Sequence, residues 1–217
     1  VFEGGKMGRF FLNSLIITLP TVIGTLFLSS LAGYSLAMHR FKLNLLVFAM
    51  FIAGNFVPYQ ILMIPVRNIS IDMGVYNTHI GLIIFHIAFQ TGFCTFFLRN
   101  FIKELPFELI EAARADGATE WTIYRKIILP LIVPALAALG VLEFTFIWND
   151  YFWALVLTQG DTVKPITVGL DVLRGQWTTS WNLVSAGSVV AALPPVIMFF
   201  ILQKQFIQGL TFGAVKG

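Results

Sequence analysis

Charged residues are scarce in this 217-residue chain, and their scarcity excludes an ordinary water-soluble domain. Lys, Arg, Asp and Glu make up 12% of the residues and hydrophobic types 57%, whereas soluble domains carry about 25% charged residues. The mean hydropathy of +0.82 points the same way. The composition therefore indicates a membrane protein before any motif is considered.

Motifs of catalysis and cofactor binding are also lacking. The single cysteine, Cys94, excludes a disulfide framework. The sequence contains no H-E-x-x-H zinc motif, no G-x-S-x-G nucleophile motif and no G-x-x-x-x-G-K-[ST] phosphate loop. We therefore expect no catalytic residue, metal site or cofactor in this chain. The net charge of +3 lies in patches at apparent helix ends, which favours membrane topology over nucleic-acid binding.

Five long apolar stretches satisfy the length of about 20 residues that a membrane-spanning helix needs. We predict spans at about 11–38, 43–66, 78–98, 130–158 and 183–203. Prolines within these stretches should act as kinks, because neighbouring helices satisfy the backbone groups that a proline frees. The expected fold is an all-α, polytopic helical bundle, with residues 1–217 forming one transmembrane domain.

The distribution of Lys and Arg predicts the orientation in the membrane. One side would hold Arg40, Lys42, Arg99, Lys103, Arg114, Arg125, Lys126, Lys204 and Lys216, and the other Lys6, Arg9, Arg67, Lys164 and Arg174. Positive residues concentrate in cytoplasmic loops. The first side is therefore expected to be cytoplasmic, including a charged segment at 103–126 and a carboxyl-terminal tail at 204–217.

The segment 103–126 has the signals of two short helices joined by a turn. Pro106 suits the first turn of a helix, and Glu108 and Glu111 oppose the positive helix end. Gly117, after Asp116, can adopt the left-handed conformation that ends a helix, and Thr119 can cap the second helix. These signals alone are also compatible with a plain amphipathic loop.

The spacing in this segment resembles the EAA loop of ABC importer permeases. The matching residues are Glu111-Ala112-Ala113, Gly117, Ile127 and Leu129-Pro130. Other stretches resemble the carbohydrate, maltose-type permeases as well: 11–19, 56–66, 146–158 and the carboxyl terminus at 209–217. That family has six spans and five are visible here, so the resemblance implies that the first span is missing from this chain.

The resemblance implies the fold of a type I importer permease and an assembly with several partners. These are a second permease subunit, two ATPase subunits that bind ATP and Mg, and an extracytoplasmic solute-binding protein, all at a bacterial inner membrane. Coupling to the ATPase would involve Glu108, Glu111, Ala112, Ala113, Asp116 and Gly117. The tail would contact the ATPase through Gly209, Leu210, Thr211, Gly213 and Lys216.

Polar residues inside the apolar stretches are candidates for the solute pathway, because such groups are costly in a membrane. Aromatic rings beside hydrogen-bonding side chains suit a sugar, and the candidates are Glu143, Trp148, Asn149, Asp150, Asn55, Tyr59 and Gln60. Interhelical hydrogen bonding would explain the same residues. His79 and His86 have no metal-binding spacing and are expected to make packing contacts.

The sequence predicts a permease subunit that imports a sugar or oligosaccharide by alternating access driven by ATP. An importer for a polyol or glycerol phosphate fits the same features. A gradient-driven secondary transporter would show repeated halves and half-helices with ion sites. No convincing internal repeat is present, and the EAA spacing would then have no explanation.

Overall fold

The computed structural model describes residues 6–174 and 181–211, with side chains for 6–173 and 181–204. The described residues form helices and turns, with no strand among them. The helices are α1 (Lys6–Met38), α2 (Asn44–Ala53), α3 (Met63–Asp72), α4 (His79–Lys103), α5 (Glu108–Ala115), α6 (Glu120–Ile123), α7 (Leu129–Leu131), α8 (Val133–Trp148), α9 (Phe152–Leu157), α10 (Ile166–Arg174) and α11 (Trp181–Thr211). Two 3₁₀ turns, Gly54–Phe56 and Tyr59–Leu62, lie between α2 and α3.

Three helices in the described part of the chain are long and apolar enough to cross a membrane. They are α1, α4 and the Trp181–Lys204 portion of α11. Two bent pairs also have the required composition, so by length and composition the described residues offer up to five candidate spans if each bent pair is one span. The five predicted stretches overlap these elements, but α4 continues five residues past the predicted end at 98, and the second bent pair covers 120–148 where 130–158 was predicted.

The predicted span at 43–66 is not one continuous helix. Helix α2 ends at Ala53, the backbone passes through two 3₁₀ turns, and α3 begins at Met63. Pro58 explains the break, because its ring disfavours helical geometry at the preceding residue and supplies no N–H. A kink was expected here, and the structure has a longer interruption.

A second interruption precedes α8. Residues Tyr124–Ile128 form a π-helical turn, and α7 and α8 follow it. Pro130 cannot donate to the carbonyl four residues earlier, so the regular hydrogen-bond ladder is lost at this point. The predicted span at 130–158 is also divided at its other end, since α8 ends at Trp148 and α9 begins at Phe152.

The chain divides into two compact units. The first comprises 1–23, 57–88 and 142–201, and the second comprises 24–56, 89–141 and 202–217. The first unit has two apolar clusters: one centred on Ile17, Leu82 and Trp153, the other on Phe10 and Trp148.

The second unit has one large apolar cluster. Its members come from the second part of α1, from α4 and from the segment 105–139; they include Tyr34, Cys94, Leu98, Ile102, Ile110, Ile123, Tyr124, Ile128 and Leu139. Helices also approach closely in this unit, since a Cβ on Gly92 would lie 2.5 Å from the Phe51 carbonyl oxygen. The charged segment 103–126 thus packs against α1 and α4 within the second unit.

Candidate functional site

Helix α5 in the second unit has one buried and one exposed face. Ile110 is 1% exposed and packs in the apolar cluster, and Ala113 is partly buried beside it. Glu108, Leu109, Glu111, Ala112 and Ala115 are exposed. Two alanines, two glutamates and Leu109 therefore cover the exposed surface of α5, while the opposite face fixes the helix to the bundle. Pro106 lies before the N-cap residue Phe107, two residues earlier than the predicted position in the first turn.

The turn after α5 is a Schellman motif. The Gly117 N–H donates to the Arg114 carbonyl at 3.0 Å, and the Ala118 N–H donates to the Ala113 carbonyl at 3.0 Å. Gly117 has a φ of 79°, in the left-handed region that favours glycine. The predicted helix end at Asp116 and Gly117 is confirmed. Both of these residues are exposed.

Thr119 begins the second short helix as predicted. Its side-chain oxygen accepts a hydrogen bond from the Thr122 N–H at 3.3 Å. The following residue, Glu120, is a centre of polar contacts that the sequence did not reveal. The Tyr34 hydroxyl and the Arg114 Nε donate to its carboxylate at 2.6 and 2.9 Å, and His39 Nε2 lies 3.3 Å away.

The contacts of Glu120 join three elements of the second unit. Tyr34 belongs to α1, Arg114 to α5 and Glu120 to α6. The hydrogen bond to Glu120 raises the pKa of the Arg114 guanidinium above its ordinary value. A buried hydrogen bond of 2.7 Å between Ser30 and Tyr124 adds a second link between α1 and the segment after α5. The exposed face of α5 is thereby held in a defined orientation on α1.

Asp150 in the first unit has an identified structural role. Its two carboxylate oxygens accept from the backbone N–H groups of Trp153 and Ala154 at 3.2 and 2.9 Å, which caps the start of α9. His86 Nε2 lies 3.5 Å from the same carboxylate, and its side chain is 3% exposed. The adjoining cavity, lined also by Ser14 and Thr18, has a volume of about 10 Å³, which is room for about one water molecule.

The other pathway candidates in the first unit differ in exposure. Glu143 and Trp148 are 3% and 1% exposed, and the Trp148 indole N–H donates to the Ala191 carbonyl at 2.8 Å. Asn149 is exposed and donates to the Thr145 carbonyl. Tyr59 is exposed, with its ring 5.2 Å from that of Phe152. Tyr59 and Asp150 thus both contact residues at the start of α9. Contact of any of these candidates with solute stays a prediction.

The remaining predicted residues have the following positions. Gln60 is exposed in its 3₁₀ turn. Asn55, in the second unit, is exposed and donates to the Phe51 carbonyl at 2.9 Å. Gly209, Leu210 and Thr211 form the end of α11, while Gly213 and Lys216 lie outside the described residues.

Comparisons with known proteins agree with this architecture. The family model described as "Binding-protein-dependent transport system inner membrane component" matches residues 26–212. A probable ABC transporter permease protein of Pyrococcus horikoshii is 40% identical over 187 residues, which are 86% of this chain and 68% of that protein. The melibiose/raffinose/stachyose import permease protein of Bacillus subtilis is 37% identical over 217 residues, which are 100% of this chain and 79% of that protein.

A solved structure has the same fold. It is a bacterial ABC transporter involved in the import of the acidic polysaccharide alginate, with a TM-score of 0.79. The match covers 94% of this chain and 76% of that chain at 22% identity.

Proposed function

Since this chain belongs to the family of binding-protein-dependent transport system inner membrane components, we propose that it forms half of the solute pathway of an ATP-driven sugar importer. A second permease subunit would form the other half. An extracytoplasmic binding protein would deliver the solute, and two ATPase subunits would dock on the cytoplasmic side. The tail after Lys204 would lie in the cytoplasm.

The exposed face of α5 is the observation that carries the proposal. Ala112 and Ala115 present little side-chain volume, so another protein can approach the helix backbone closely. Glu108 and Glu111 are exposed carboxylates on the same short helix. Such a surface fits a socket on an ATPase subunit. ATP and Mg would bind to that partner subunit and not to this chain.

The attachment of α5 to the second unit suggests how movement of the ATPase would reach the spans. Ile110 anchors the helix in the apolar cluster, and Glu120 connects Arg114 of α5 to Tyr34 of α1. A displacement of the socket would therefore move α5 and this part of α1 together. Rigid-body movement of packed helices is one of the established ways in which proteins switch between states, and here it would drive alternating access.

The identity of the cargo is supported by relatives and by side-chain chemistry. The Bacillus subtilis relative is named for melibiose, raffinose and stachyose. Tyr59, Gln60 and Asn149 are each exposed and supply an aromatic ring and two hydrogen-bonding amides, groups that suit the apolar faces and hydroxyl edges of sugars. A sugar or oligosaccharide is therefore the proposed solute.

Substitution at Ala112 tests the coupling step. We expect Ala112→Arg in the assembled complex to abolish binding-protein-stimulated ATPase activity and uptake, because the long side chain keeps the socket away from the helix. Thr162→Arg, which adds the same side chain at an exposed position of the first unit, is the matched control. Unchanged uptake in Ala112→Arg would contradict docking on this face, and uptake without ATP would indicate a gradient-driven carrier.

A panel of labelled solutes tests the cargo. Proteoliposomes containing the complete transporter would be supplied with melibiose, raffinose, a polyol or glycerol phosphate, each with the binding protein. Saturable uptake of the sugars supports the proposal, whereas uptake confined to the polyol or glycerol phosphate would overturn the choice of sugar.

A further inference from the structure

A basic cleft lies in the second unit where α1 and α4 end and α2 begins. It has a volume of about 380 Å³ and is lined by Leu36, Ala37, His39, Arg40, Phe41, Lys42, Asn44, Leu45 and Lys103. These residues come from the end of α1, the connection to α2, the first turn of α2 and the last residue of α4. None of the nine is a carboxylate.

The cations of this basic cleft have no acidic partner in the described part of the chain. Arg40, Lys42 and Lys103 are exposed, and none of them forms an ion pair with a described residue. His39 contacts Glu120 through Nε2, and its Nδ1 has no hydrogen-bond partner among the described residues. Three permanent positive charges and one imidazole therefore surround an open volume.

The backbone of the cleft is fixed by side chains behind it. The Asn44 carboxamide donates to the carbonyls of Leu36 and His39 at 3.1 and 2.8 Å. Arg99 donates from Nε to the Leu36 carbonyl at 3.4 Å, and its guanidinium lies 3.7 Å from the centre of the Phe48 ring. These contacts hold the connection between α1 and α2 in one shape, so the cations are positioned without a ligand.

Apolar side chains border the same cations. Phe41 and Leu45 line the cleft, and the neighbouring Leu43 and Leu46 are exposed as well. Helices α1 and α4 are candidate spans, so their ends mark the level of the membrane interface. The excess of Lys and Arg predicts that this end faces the cytoplasm, where anionic lipids attract basic residues.

We propose that the basic cleft binds the phosphate head group of an anionic phospholipid from the cytoplasmic leaflet. Arg40 presents a planar set of donors to phosphate oxygens, and Lys42 and Lys103 contribute compact charges from two different elements. The acyl chains would lie along Phe41, Leu43 and Leu45. A free phosphate ion would use the cations and leave this apolar border uncovered. The proposal requires insertion in a membrane and is independent of the cargo.

Native mass spectrometry tests the proposal. The assembled transporter would be released from nanodiscs made of equal amounts of phosphatidylcholine and phosphatidylglycerol, and the lipids that stay bound would be counted. We expect preferential retention of phosphatidylglycerol. Because each Lys or Arg near an anionic surface contributes about 1 kcal/mol to binding, Lys42→Gln/Lys103→Gln should lower this preference about thirtyfold.

The matched control removes two charges from the first unit. Arg9 and Arg67 are exposed, and Arg9→Gln/Arg67→Gln should leave the lipid preference unchanged. Equal losses in the two double variants would overturn the proposal, since net charge alone would explain them. Equal retention of both lipids by the native complex would also overturn it.

Two further arms separate the lipid from other ligands. Displacement of phosphatidylglycerol by inorganic phosphate at millimolar concentration would identify a free anion as the ligand and overturn the lipid assignment. In detergent without phosphatidylglycerol, the Lys42→Gln/Lys103→Gln complex should keep its ATPase subunits. Their loss would show that the basic cleft binds protein, and the proposal would be wrong.

Discussion

The Tyr34 hydroxyl donates a hydrogen bond of 2.6 Å to the Glu120 carboxylate. The two residues are 86 positions apart and belong to α1 and α6. The other oxygen of the same carboxylate accepts from Arg114 of α5 at 2.9 Å. One acidic side chain thus holds the charged segment on the helix that leads into the membrane.

Removal of the Glu120 carboxylate should weaken this attachment. We expect Glu120→Ala to lower the free energy of unfolding by about 1 kcal/mol, because hydrogen bonds to charged groups are worth about 1.5–3 kcal/mol and partial exposure reduces that value. We also expect less solute transported per ATP hydrolysed. Thermal unfolding and coupled uptake–ATPase assays on the reconstituted complex would measure both effects.

Tyr34→Phe provides a graded comparison for Glu120→Ala. It removes one of the two short hydrogen bonds to the carboxylate and leaves Arg114 in place, so its effects should be intermediate. If Tyr34→Phe and Glu120→Ala both left the transport stoichiometry unchanged, Glu120 would be a stabilising residue without a role in transmission.

Gly117 should tolerate alanine poorly for reasons of backbone conformation alone. Its φ is 79°, and a Cβ at this position would meet no atom within 4 Å. Gly117→Ala is therefore expected to destabilise by about 1 kcal/mol, the cost of the left-handed conformation for a residue with a side chain. The loss would be measured as a lower Tm of the purified complex.

Gly54 offers a matched control for Gly117→Ala. A Cβ at Gly54 would likewise meet no atom within 4 Å, but the φ of this residue is −57°. Gly54→Ala should leave Tm unchanged or raise it, because alanine restricts the unfolded chain. An equal loss of stability in both variants would mean that backbone conformation is not the cause.

Local signals predicted the charged segment well. Gly117 ends α5 and Thr119 caps α6, because glycine and threonine act within one turn of their own positions. Pro58 similarly predicted an irregularity in the span at 43–66. Composition was sufficient for the fold class, since long apolar stretches have few alternatives to spanning helices.

Contacts between residues that are far apart in the chain could not be predicted from the sequence. Nothing near Glu120 indicates that its partner is Tyr34, and Asp150 gives no sign that it faces His86. The basic cleft combines Arg40 and Lys42 with Lys103, and two predicted spans separate Lys42 from Lys103 in the sequence. Such groupings depend on how the helices pack, and the spacing of residues along one helix does not determine that packing.

We expect protonation of the Asp161 carboxylate to lower the free energy of unfolding at acid pH. Hydrogen bonds from Lys164 and Lys6 lower the pKa of Asp161 below its ordinary value. A carboxylate with a depressed pKa stabilises the folded state above its unfolded pKa of about 3.9, and this contribution disappears as the pH falls through the folded pKa.

The size of the Asp161 effect should be small. The Asp161 and Lys6 side chains are 39% and 66% exposed, so solvent screening limits the contribution to less than about 1 kcal/mol. Asp161→Asn should flatten the fall of Tm below about pH 4, where the native carboxylate becomes protonated. Thr162→Val, which keeps the carboxylate, should retain the native pH profile; an unchanged profile in Asp161→Asn would contradict the assignment.

Substitutions at Asp150 test whether this residue has only a structural role or also a role in the solute pathway. Its carboxylate caps α9 through the N–H groups of Trp153 and Ala154. Asp150→Ala removes the cap and should cost about 1 kcal/mol of stability. Asparagine keeps one of the two acceptor oxygens, so Asp150→Asn should lose less stability than Asp150→Ala while removing the charge beside His86.

Uptake kinetics of Asp150→Asn then decide between the two roles. If the carboxylate only caps α9, the variant should transport with native KM and kcat. If it accepts hydrogen bonds from solute hydroxyls, the loss of charge should raise KM or lower kcat although the variant stays folded and assembled. Because asparagine preserves one acceptor oxygen and the shape of the side chain, a kinetic defect in a stable variant would assign Asp150 to the solute pathway.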